Sequence, residues 1–399
     1  MDRIAYVGTD DNIFTINPDG SDSRRLTGNI TAGAQGIIQA SLLQQGFIFY
    51  TWPTWSPDGK KLAVSQIILE GDVPTVSLFT LDASDGELTK VYENEPQASP
   101  IIANNVPHYM YWSPNSESLA FIAPTLGGLT LFVHTTNHDN TTISSEGPLY
   151  FKWAQDNRSL LIHARDTLLT ATVPFDNKPL ELAPMNPIFR APDLSNDGRQ
   201  AVYMSNVVQG YGLLVGDPGA AGEFQQLESV GSNAALLWSP TGDSIAVADS
   251  ESPDDLVHNR LRIISSDGSE SRTLVEEPLA AFFWSPNGEK IAYVAVDAQE
   301  QSLTWKIVSI KGGEPWELVK FAPSAELLAM IGFFDQYAHS HSLWSPDSTR
   351  LVFAGGAGRE IAETNGASTN VSSIYVINTE PGSLPRKIAS GSLAFWSWN

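Results

Sequence analysis

The chain has 399 residues, with 45 acidic against 23 basic side chains and a formal net charge of −22. Without concentrated positive charge it is not built to bind a nucleic-acid backbone or an anionic lipid surface. It contains no cysteine, which excludes a disulfide framework, a thiolate zinc site and a cysteine nucleophile.

From the N-terminus, Arg3-Ile4-Ala5-Tyr6-Val7 reads as a strand. A second strand, Ile13-Phe14-Thr15-Ile16, leads into the turn Asn17-Pro18-Asp19-Gly20, and Arg25-Leu26-Thr27 reads as a short third. An insertion at 28–45 carries Ile37, Ile38, Leu42 and Leu43 on one side. The aromatic stretch Phe47, Phe49, Tyr50, Trp52 then reaches Trp55-Ser56-Pro57-Asp58-Gly59, followed by the apolar strand Leu62-Ala63-Val64. Proline presets φ at the second turn position, aspartate suits the third, and glycine lets the chain reverse. The motif is therefore a hairpin between two strands.

Copies of this motif start at Trp112, Trp153, Leu194, Trp238, Trp284 and Trp344, and a fragment, Trp396-Ser397, ends the chain. The intervals run from 41 to 60 residues. Such a period means a solenoid, an array or a propeller, and four antiparallel strands per unit describe a propeller blade. Seven motifs give seven inner strands, and the tail 392–396 gives an eighth. The expectation is an all-β, eight-bladed β-propeller of four-stranded antiparallel blades in one domain, 1–399. The C-terminal strand would pair into the N-terminal blade, so that blade 1 combines 1–30 with 391–399. Seven blades with a stray terminal strand is the alternative.

The motif-plus-strand units resemble the WD40-like repeats of TolB-type periplasmic proteins. They also resemble the propeller of the dipeptidyl peptidase IV and prolyl oligopeptidase families. The resemblance covers nearly the whole chain and implies the propeller fold, which unrelated activities share. The separate N-terminal domain of TolB and the hydrolase domain of the peptidases have no counterpart in this sequence.

Longer units carry insertions. Those at 28–45, 93–107 and 320–338 are blade-to-blade connections, and those at 249–259 and 355–370 join second to third strands. In a propeller all five open on one face, opposite the tight motif turns. Loops on a rigid scaffold are where binding residues concentrate. The stretch 323–334 begins with proline and carries Leu327, Leu328, Met330 and Ile331, so it reads as a short helix over the channel mouth.

Candidate binding residues around that mouth are Tyr50, Trp52, His108, Tyr109, Tyr150, Arg190, Phe333, Phe334, Tyr337, His339 and His341. Aromatic rings and one arginine around a funnel suit a sugar, a peptide or a carboxylate. On a strand, His339 and His341 would share a face and could touch one metal, as in the histidine-lined channels of oligogalacturonate lyases. No ligand motif supports this, so no metal or other cofactor is expected. The acidic run from Asp249 to Asp255 is dense in oxygen ligands but lacks the spacing of a calcium loop. No nucleophile elbow and no phosphate-binding glycine loop is present.

The function expected is a non-catalytic scaffold that binds a protein partner, or a peptide or glycan ligand, at the decorated face. A channel-mouth enzyme, as a metal-assisted polysaccharide lyase or hydrolase, and a structural subunit of a larger complex are the competing classes. No apolar run has membrane-spanning length. The expected location is extracytoplasmic, in the periplasm or at the cell surface. That reading implies a removed N-terminal signal or anchor, and a cytoplasmic origin stays open.

Overall fold

The computed structural model describes residues 2–28, 47–70, 73–103, 105–136, 138–174, 178–185, 190–208, 210–231, 233–252, 255, 257–358 and 372–399. The insertion 28–45, apart from Gly28, and most of 355–370 lie outside them. Over the described residues the chain is all-β, apart from a helical passage at 325–337, and it forms five four-stranded antiparallel sheets of the propeller kind. Where Phe321–Pro323 pairs with Gly355–Ala357 and the chain ends meet, one continuous ten-stranded sheet stands in place of separate four-stranded blades. Phe47–Trp55, Lys61–Leu69, Thr75–Asp82 and Leu88–Glu93, for example, pair in chain order.

The first and last strands meet. Arg386–Trp396 is long enough to pair twice. Its first half lies against Ser373–Asn378, with Ala389 opposite Ile374. Its second half lies against Ile4–Gly8, with Trp396 opposite Ile4. Pairing of the ends covers strand edges that would otherwise template aggregation.

In five of the seven turn motifs the serine at the first turn position holds the turn through its side chain. The Ser56 hydroxyl donates to the Asp58 carboxylate (2.7 Å) and accepts from the Lys61 amide (2.9 Å). Ser113, Ser195, Ser285 and Ser345 make the same pair of bonds in their own turns. Gly59 sits at φ 69°, and Ser116 and Ser348 take its place in their units at φ 65° and 62°. Those serines compensate for an unfavourable backbone by bonding the neighbouring turn. Ser116 accepts from the Asp58 amide and Ser348 from the Asn287 amide, each at 3.0 Å.

The motif tryptophans tie each sheet to the one before it. Trp112 Nε1 donates to the Thr54 carbonyl, Trp153 to Tyr111, Trp284 to Leu237 and Trp344 to Phe283. In every case the acceptor immediately precedes the previous unit's tryptophan. Trp55 donates to Phe395, which precedes Trp396. The pattern breaks where Leu194 stands in place of tryptophan, and Trp238 there turns its Nε1 to Gly242 of its own turn. Asp193, fully buried beside Leu194, accepts from the Trp238 amide (2.7 Å) and pairs with Lys152.

Candidate functional site: the strapped channel mouth

Between the strands Trp316–Pro323 and Arg350–Ala357 the chain crosses the centre of the molecule. Helix α1 (Ala325–Gly332) starts because Ser324 caps it, accepting from the Leu327 amide, with Glu326 in the first turn. It buries Leu327, Met330 and Ile331 and exposes Leu328. A four-residue helix, α2 (Phe334–Tyr337), and a turn at 338–341 follow.

This strap is bolted to inner strands on several sides. Phe334 packs on Phe282, with ring centroids 5.0 Å apart. Asp335 accepts from the Ala191 amide (3.1 Å). Gln336 imitates a neighbouring strand: its Oε1 accepts from the Phe151 amide (3.0 Å) and its Nε2 donates to the Phe151 carbonyl (2.8 Å). Tyr109 donates its hydroxyl to the Gln336 carbonyl (2.9 Å). Tyr337 stacks on Trp52 at 4.9 Å, and His341 bonds Thr54 (2.9 Å) and packs on Phe395. Trp52 reaches the strap from a bulge, at φ 55°, a rare conformation for a bulky residue, and donates to the Asn105 carbonyl (2.8 Å).

The strap changes what the candidate residues do. Tyr109, Tyr150, Arg190, Phe333 and Tyr337 line one cavity of about 550 Å³ at the mouth. Trp52, His108, Phe334 and His341 are buried in packing and do not line it. Tyr50 accepts a bond from Gln66 away from the cavity. His339 and His341 are not on a strand, so the alternation that would bring them to one face does not operate. His341 points to Thr54, while His339 lies 3.7 Å from Asp193. Among the described residues, no three histidine, aspartate or glutamate side chains converge as a metal site. Asp249, the first residue of the acidic run, is fully buried and is clasped by Arg260 (2.6 Å) and Arg262 (2.8 Å).

The cavity is polar at one end and apolar at the other. Arg190, Asn233 and Asp335 form the polar end, where Arg190 donates to Asn233 Oδ1 (2.7 Å). Ile102, Val106, Ile122 and Leu129 form the apolar end. Burial pushes the Asp335 carboxyl up, against the opposing pull of Arg190 and of the Ala191 amide. Burial also lowers His339 to about 4 and His341 to about 3, so both are neutral near pH 7. Burial alone would raise Asp193, but Lys152 and His339 outweigh it and hold the carboxyl below its usual range.

Sequence reasoning missed Asp335, Gln336 and Asn233. A polar pair between Phe334 and Tyr337, in an otherwise apolar run, was the signal for the first two. Nothing local marks Asn233.

The exposed apolar side chains have a sidedness. Of the large ones left exposed among the described residues, Phe47, Ile48, Leu69, Val73, Ile101, Leu126, Val208, Leu328 and Phe333 lie on the loop face. Only Leu180 and Leu384 lie at the motif-turn face.

No protein-family model matches the chain, and no curated protein matches it. Solved structures are similar in fold. A eukaryotic initiation factor shares 12% identity at a TM-score of 0.55, over 99% of this chain and 98% of its own. The β-propeller domain of the Trilobed protease from Pyrococcus furiosus shares 11% at 0.51, over 86% and 98%. TolB from Acinetobacter baumannii shares 15% at 0.43, over 93% and 88%. At these identities the likeness is one of fold.

Proposed function

We propose that the chain is a non-catalytic β-propeller of eight blades, closed by its C-terminal strand, that docks a protein partner on its loop face and in the mouth cavity. The sidedness of the exposed apolar side chains carries this reading. Scattered apolar residues need no explanation, whereas a concentration on one face marks an interaction surface. The cavity supports the non-catalytic part: among the described residues that line it, Asp335 is the one carboxylate and there is no histidine. An acid–base or metal-assisted enzyme requires such groups to converge. The lack of cysteine fits a location outside the cytoplasm. Among the described residues no helix is long and apolar enough to cross a membrane.

The test is a pair of surface variants. Leu126→Asp with Val208→Asp is expected to abolish co-purification of the partner from the native host, without lowering the melting temperature. Leu180→Asp with Leu384→Asp is expected to leave it intact. Equal capture by both variants would overturn the reading.

A further inference from the structure

We propose that the mouth cavity receives the C-terminal residue of a polypeptide, with its α-carboxylate at Arg190 and its last, apolar side chain toward Ile122 and Leu129. This rests on the docking reading above and specifies what part of the partner enters the cavity.

Among the described residues Arg190 is the one cation lining the cavity, in a chain whose net charge is −22. A guanidinium presents a planar fork of donors that matches a carboxylate, and the bond to Asn233 fixes one side of it. The neighbouring polar groups Gln336 and Tyr109 bond each other, and Gln336 also bonds Phe151, so they shape the floor without recognising a ligand. Asp335, fully buried, is engaged by the Ala191 amide, and burial pushes its carboxyl up.

The apolar end decides among anions. An inorganic anion would leave Ile102, Val106, Ile122 and Leu129 uncovered, and an internal peptide segment would bring a carboxylate to Arg190 only through an aspartate or glutamate side chain. A chain terminus supplies both parts, a recurrent mode of terminal-carboxylate capture. A free acyl carboxylate would fill the cavity as well. Ile101, beside the lining residue Ile102, and Phe333, itself a lining residue, are exposed, as are Leu126, in the hairpin between the strands of Ile122 and Leu129, and Val208 on another sheet. An occupant that covers both the cavity and this surface is a polypeptide.

Isothermal titration of the full chain tests the assignment. The probes are N-acetylated hexapeptides ending in leucine, as free acid and as C-terminal amide, the same peptide acid ending in lysine, and octanoate. The leucine acid is expected to bind at least about tenfold more tightly than its amide and than the lysine acid. Arg190→Gln should bring the acid down to the level of the amide, and Arg190→Lys should fall between. Equal binding of acid and amide, or tighter binding of octanoate than of the peptide, overturns the inference. So does an absence of saturable peptide binding in protein that still captures its partner, an outcome that leaves the docking reading standing. If Arg190→Gln does not fold, the acid-to-amide ratio on the unmodified protein decides.

Discussion

The indole Nε1 of Trp55 donates to the carbonyl of Phe395, 340 positions further along the chain, at 3.3 Å. This bond repeats, between the two ends of the sequence, the link that Trp112, Trp153, Trp284 and Trp344 each make to the preceding unit. Together with the pairing of Ile4 and Trp396, it joins the ends of the chain to each other. Trp55→Phe keeps most of the buried area but leaves the Phe395 carbonyl without this donor. A loss of about 1–3 kcal/mol in urea unfolding is expected.

The motif serine should matter more than its surroundings suggest. Ser56→Ala strands the Lys61 amide and removes the Asp58 contact made by a buried hydroxyl. It is expected to destabilise by about 1–3 kcal/mol, whereas Lys60→Ala, at an exposed position of the same turn, should change stability by less than about 0.5 kcal/mol. Parallel denaturant titrations of the two variants check this.

Gln336→Leu should detach the strap from the strand Leu149–Trp153. The variant leaves the Phe151 amide and carbonyl without partners, at about 1–3 kcal/mol for each stranded group. Amide hydrogen exchange at Phe151 is expected to accelerate, while the exchange of Lys61–Leu69 stays near the wild-type rate.

Acid should destabilise the fold before its carboxylates titrate. Burial lowers His108 and His341 to about 3, and His258 and His339 to about 4. The unfolded chain takes up protons on these groups below pH about 6.5, while the folded chain does not. Stability is therefore full above that pH and falls as pH drops from 6.5 toward 4, by up to about 1.4 kcal/mol per pH unit for each histidine. His341→Gln should reduce that slope by about one proton, read from unfolding midpoints at several pH values.

The repeat was legible because it is local: proline, aspartate and glycine act within four residues, and the strands follow the turns directly. The pairing of 3–7 with 392–396 was legible as completion of that pattern. The strap was legible only in part. Its helix is announced by Pro323 and spaced apolar residues, but its path through the centre depends on partners of Gln336 at 185 and 227 positions' separation. The expectation for His339 and His341 failed for a local reason, since strand alternation was applied to residues that form a turn. A helix over the channel mouth was expected, but not that the strap would pack Tyr337 on Trp52 and carry His341 into packing against Phe395.

Position-specific photo-crosslinking in the native host tests the central claim, that the loop face is the docking surface. A photoreactive residue would be placed in turn at Leu126, Val208 and Leu328, and at Leu180 and Leu384 as controls. The account predicts one partner protein crosslinked from the first three positions and not from the controls, identified by mass spectrometry. Crosslinks of equal yield from Leu180 and Leu384, or from none of the loop-face positions, would contradict it.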